Sequence, residues 1–264
     1  MNRSSGSLIG AHQKIDRVAR KMLKPRLSDN KAFPKALKIQ HFEGHKGPDS
    51  IKVKSPSKDE PWHYFDPFDK NDDQIFDHFN EHSRGLSLHL AEQNVERAAF
   101  EAAWLAHALV DGLTPAHHYP YEKEIEEIWG KENSSRDTRR KKWLPPGDTK
   151  REIFKKFTKA WGPKGLITTH MMFELGIATI ITPMKFTKLG LAETDLKQIE
   201  KMGVNKYFEM IAKEIAVMDL YNLYIKKGWT AKLTRQVKKE LMPRIIKTVA
   251  LSWYLSAKKA KITK

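Results

Sequence analysis

Alanine recurs through residues 86–113, as Ala91, Ala98, Ala99, Ala102, Ala103, Ala106 and Ala108, and Pro115 closes the run. Alanine has the best intrinsic helix propensity, and its small side chain lets neighbouring helices approach closely. The segment reads as one helix over about 86–113, and a chain with it at its middle is committed to helix packing. The rest of the sequence agrees. Ile9, Ile15, Val18, Ala19 and Met22 fall at helical spacing over 9–23, ahead of Pro25. A short helix is expected over 69–82, with Ile75, Phe76 and Phe79 on one face. Further helices are expected at about 149–160, 164–182, 192–226 and 230–258, broken near Gly162-Pro163, Pro183 and Gly228. No alternating strand pattern of useful length and no internal repeat is evident.

Two stretches read as irregular: residues 26–68, rich in Pro, Gly, Ser and Lys, and the basic insertion 131–150, KENSSRDTRRKKWLPPGDTK. The expected organisation is a flexible N-terminus over 1–8, one all-α domain over 9–258 that carries 131–150 as an exposed loop, and a frayed basic tail over 259–264. The apolar stretch 166–184 is barely long enough to span a bilayer, and it contains His170 and Glu174. A buried helix explains it better than a membrane span. With no apolar segment of signal-peptide length near residue 1, the chain reads as cytoplasmic.

The 264 residues include no cysteine, which removes thiolate metal sites and cysteine nucleophiles. Any metal must be held by His, Asp and Glu, ligands that suit zinc, manganese or iron. Such residues occur at telling positions. In WLAHALVDGLTPAHH, His107 and Asp111 are four apart, one turn apart on the same helix face. Pro115 stops that helix, and His117 and His118 follow. In THMMFELG, His170 and Glu174 repeat the spacing inside an apolar helix. Burying a lone carboxylate costs several kcal/mol, and a metal or a buried His–Glu hydrogen bond offsets that cost. His12 opens an amphipathic helix, and Asp49 and His63 lie in the irregular stretch. Each pair alone is weak evidence. His41, His45, His78, His82 and His89 fall outside this series and read as surface residues.

The ordered series His12, Asp49, His63, His107-x3-Asp111, Pro115-x-His117, His170-x3-Glu174 resembles the zinc-dependent phospholipases C of bacteria, relatives of the fungal three-zinc single-strand nucleases. The gaps of fourteen from Asp49 to His63 and six from Asp111 to His117 match the phospholipase pattern. The resemblance implies an all-helical bundle with two or three Zn2+ ions in a cleft. By that pattern Asp49, His63, His107 and Asp111 hold one ion, and His117, His170 and Glu174 a second. His12 holds a third, with Asp111 bridging the first and third. His117, not His118, matches the Pro-x-His position, and Asp49 doubles as the catalytic general base. The family completes its third metal with a terminal Trp. No Trp precedes His12 here, and the nuclease-type spacing lands on Ser7.

The resemblance implies a phosphoric diester hydrolase. The net charge of +16 favours anionic partners, either phospholipid with peripheral membrane contact or nucleic acid. Arg139, Arg140 and Lys141 in the basic insertion are candidate anion-binding residues, and Trp62, Tyr64 and Phe65 are candidate base-stacking platforms. The phospholipase-like spacing favours a lipid-type substrate. The alternatives are a single-strand nuclease or nucleotidase, and a catalytically weakened scaffold that keeps metal for stability.

Overall fold

The computed structural model describes residues 10–44, 47–54 and 64–264. The architecture is all-helical. Among the described residues the only extended pairing is an isolated antiparallel bridge between Leu27 and Thr263. The helices are α1 (Ala11–Leu23), α2 (Ala36–Glu43), α3 (Pro48–Lys54), α4 (Gln74–Ala91), α5 (Val95–Leu113), α6 (Tyr121–Trp129) and α7 (Arg139–Trp143). They continue as α8 (Lys150–Trp161), α9 (Leu166–Ile181), α10 (Glu193–Ala216), α11 (Leu220–Lys227), α12 (Ala231–Gln236) and α13 (Met242–Lys259).

Helix α5 is the axis. Every residue from Leu105 to Leu113 is buried, and α1, α2, α4, α10 and α13 all pack on it. Its alanines permit this close approach. The Trp253 indole of α13 reaches between helices and donates to the Ala102 carbonyl at 3.0 Å. Phe65, Phe76 and Phe79 converge on Phe208 of α10, with ring centroids 4.7–6.1 Å apart. A second, smaller cluster, Ile125, Trp129, Ala160 and Ile167, joins α6, α8 and α9.

Several sequence expectations are corrected. The continuous helix expected over 86–113 is two helices. Gln93 adopts φ 57°, and the Asn94 side chain accepts from Arg97 N to cap α5, so the first part belongs to α4. The irregular stretch 26–68 contains α2 and α3. The 192–226 helix breaks at Asp219, where φ is 54°, and Gly203 kinks α10 at φ 73°. The basic insertion is not simply exposed: Arg136 and Lys142 are buried, Arg136 donates to the Lys142 carbonyl, and the Trp129 indole donates to the Lys141 carbonyl. The expected frayed tail is tied down instead, with Ser28 N donating to Ile262 O and Lys264 N to Arg26 O. Helix α9 is not buried all round, because Met171, Met172 and Leu175 are about half exposed. No helix among the described residues is long and apolar enough to cross a membrane. Residues 1–8, expected to be flexible, lie outside the described residues.

Phe208 is fully buried at the centre of the ring cluster. Phe208→Ala leaves a cavity that the surrounding rings fill poorly, and it is expected to cost about 3–5 kcal/mol. Urea denaturation monitored by circular dichroism measures that loss.

Candidate metal centre

The backbone delivers polar side chains to one end of α5 from six segments. α5 itself supplies His107 and Asp111, and α1 supplies His12 from its first turn. α2 supplies Glu43 as its last residue, and α3 supplies Asp49. Thr114 and Pro115 end α5 and start a 3-10 turn, Pro115–His118, that carries His117; α9 brings His170 and Glu174. Seven of the eight ligand candidates from the sequence therefore meet. The eighth, His63, lies outside the described residues, as do Ser7 and Trp62.

Asp111 is the hub. Its Oδ1 is 3.2 Å from His12 Nε2, and its Oδ2 is 3.1 Å from His107 Nε2 and 4.0 Å from His117 Nδ1. The His12 and His107 rings stack at 4.4 Å and 15°. Asp49 Oδ1 stands 3.8 Å from His107 Nε2, and its side chain is 62% exposed. On the far side, Glu174 Oε1 lies 2.9 Å from His117 Nε2 and 3.1 Å from His170 Nε2, and the two imidazoles stack at 5.0 Å. Tyr64 and Tyr121, stacked at 5.4 Å, wall this second group. His12, Asp49 and His107 form one trio able to hold a metal ion, and His117, His170 and Glu174 form another. A cavity of about 350 Å³ opens over both, lined by His12, Asp49, Asp111, His117 and Glu174.

Electrostatics show what holds so many ionisable groups together. Burial works against the His12 cation, as does neighbouring His107. The hydrogen bond to Asp111 and the charges of Glu43 and Asp111 outweigh both and raise its pKa to about 9. Burial also opposes the His107 cation, yet Asp111 and Glu43 push its pKa well up. Burial disfavours the carboxylates of Asp111 and Glu174. Their histidine partners, His107 and His117 for the first and His170 and His117 for the second, nevertheless hold both well below the usual range. The carboxylates thus stay anionic. Nitrogen and oxygen donors with no thiolate, gathered around anionic carboxylates, fit divalent metals such as zinc.

Glu43 is the site residue that the sequence did not disclose. It is 5% exposed and accepts from His107 Nδ1 at 2.7 Å, and it lies 3.4 Å from His12 Nδ1. This bond turns His107 Nε2 toward Asp111 and Asp49, as carboxylates do behind metal-binding histidines. Asp16 is the second residue missed. It is 1% exposed, and neither carboxylate oxygen has a hydrogen-bond partner among the described residues. Burial, then the charge of Glu43, raises its pKa well above the usual range. His12-x3-Asp16 repeats the four-residue spacing used twice elsewhere, so a signal for Asp16 existed; Glu43 stands in no such pattern. His118 turns away from the cavity and donates Nε2–H to the Gly112 carbonyl at 2.9 Å. Burial lowers its pKa to about 4. Arg139, Arg140 and Lys141 are exposed on α7 and do not line the cavity.

Comparison with protein families, with curated proteins and with solved structures finds no match to this chain.

Glu43→Gln keeps the side-chain shape but removes the charge that orients His107. Metal affinity is expected to fall about 10- to 100-fold. Titration against a chromophoric chelator reads the change, with circular dichroism to confirm the fold.

Proposed function

We propose that this protein is a metal-dependent phosphodiester hydrolase acting on a phospholipid-type substrate. The observation that carries the reading is the joining of two ligand trios through Asp111 beneath one open cavity. The ordered series of ligands, which resembles that of the zinc-dependent phospholipases C, supports the same reading. His12, Asp49, His107 and Asp111 would hold metal on one side, and His117, His170 and Glu174 on the other. Bound zinc would supply Lewis-acid polarisation of a phosphoryl oxygen and a water made acidic near neutral pH.

The chain's own residues supply the rest. Asp49 stands exposed at the cavity and is placed to take a proton from water there, as a general base. Glu43 holds His107 from behind, and Asp111 keeps the two halves in register. The cavity is also lined by Ile15, Val110, Met171, Leu175 and Ile177. Met171 and Leu175, with neighbouring Met172, extend this apolar lining into solvent. An apolar surface continuous with a polar floor suits a substrate with hydrocarbon attached to its phosphodiester.

A second reading, a single-strand nuclease, draws on the stacked Tyr64 and Tyr121 rings beside His117 and His170, since bases stack on such platforms. Hydrolysis of a phosphatidylcholine analogue and of single-stranded DNA, measured at one salt concentration, separates the two. The lipid analogue is expected to turn over, the activity to vanish with a chelator, and zinc to restore it. Turnover of DNA alone would support the nuclease, and turnover of neither would support a metal-stabilised scaffold.

Asp111→Asn is expected to lose the metal held with His12, Asp49 and His107, and activity with it, and full turnover in that variant would refute the site. Asp49→Asn is expected to slow turnover by about 10²- to 10⁴-fold.

A further inference from the structure

The polar residues of α4 are not used by the centre described above. His78, Glu81 and His82 occupy positions i, i+3 and i+4, so they share one face across one turn. Each offers a ligand atom, and the three atoms lie within 4.8 Å of one another. None lines the cavity over Asp111. His82, which reads from sequence as a surface residue, is 6% exposed.

We propose that His78, Glu81 and His82 form an additional zinc-binding site, separate from the centre around Asp111.

The surroundings of His82 carry the argument beyond spacing. Its Nδ1 hydrogen-bonds Glu101 Oε2 of α5 at 2.7 Å, which leaves Nε2 as its ligand atom. A carboxylate behind the far ring nitrogen is the usual support of a metal-binding histidine, fixing tautomer and ring orientation. Glu101 is itself 4% exposed, and its other oxygen is held by Arg97 Nε at 3.1 Å. Trp104 packs beside His82 with ring centroids 5.6 Å apart. Gly85 makes room for this arrangement, because a Cβ there would stand 2.8 Å from Glu101 Cδ. A side chain at residue 85 would push the carboxylate off His82.

The ring of His78 lies nearly parallel to that of His82, at 12° and 6.3 Å between centroids. His78 is half-buried and Glu81 is exposed, so the site opens to solvent. Two imidazoles and one carboxylate, with a fourth position left to water, make a complete zinc ligand set. Zinc–nitrogen bonds of about 2.0–2.1 Å require the three donors to draw together, which rotation of the half-buried His78 and exposed Glu81 side chains allows.

The test is zinc stoichiometry of the full chain at equilibrium dialysis, using zinc alone as probe. His78→Ala and Glu81→Ala, both at accessible positions, are each expected to bind one equivalent fewer than the unaltered protein. Glu101→Gln is expected to keep the equivalent but weaken it about 10- to 100-fold. The same comparison is made in an Asp111→Asn background, so loss of metal at the main centre does not mask the result: adding His78→Ala there is expected to remove one further equivalent. Unchanged stoichiometry on adding His78→Ala, in both backgrounds, would overturn the proposal and leave His82, Glu101 and Arg97 as a hydrogen-bonded structural triad.

Discussion

A carboxylate buried in the central helix governs the arrangement of everything around it. Asp111 is 5% exposed on a helix whose buried residues are mostly apolar. An unpaired charge there would destabilise the fold by several kcal/mol, about 3–5 by the measure of broken buried pairs. The chain meets that constraint with histidines drawn from separate elements: His12 from α1, His107 from α5 itself and His117 from the turn after Pro115. Those histidines require anions of their own, and Glu43 and Glu174 provide them. The result is a continuous polar network inside an otherwise hydrocarbon core.

The packing scheme makes such a network possible. Alanines along α5 bring α1, α2, α4, α10 and α13 close enough for side chains from distant parts of the sequence to touch. α9 lies against α1 and the 3-10 turn, so the His170–Glu174 pair faces the same cavity from the opposite wall. The same helix leaves Met171, Met172 and Leu175 exposed beside that cavity. Polar floor and apolar rim therefore come from one element, whose two faces do different work. α4 repeats the principle on a smaller scale, where His82 enters the interface with α5 and is received there by Glu101.

Legibility differed by the range of the interaction. The helices over 9–23, 149–160 and 164–182 follow from periodic apolar residues and their Pro or Gly stops, which are local properties. α2 was not readable because its only buried apolar residue is Ile39; it is held by packing on α5 and by the Gln40 amide donating to the Gln13 carbonyl at 2.8 Å. The break between α4 and α5 was hidden by alanines on both sides, and it turns on the backbone of Gln93. The tail over 259–264 looked unsupported because its partners, Arg26 and Ser28, are more than two hundred residues away.

For the site, sequence alone determined the donor chemistry and the spacing. With no cysteine, nitrogen and oxygen ligands were the only choice, and four-residue intervals set His107 beside Asp111 and His170 beside Glu174. Tertiary structure decided which pairs would meet, that Glu43 would stand behind His107, that Asp16 would be buried, and that His82 would turn inward. Helical periodicity fixes neighbours one turn apart. Contacts between helices depend instead on which apolar faces are buried together, and that is a property of the whole core.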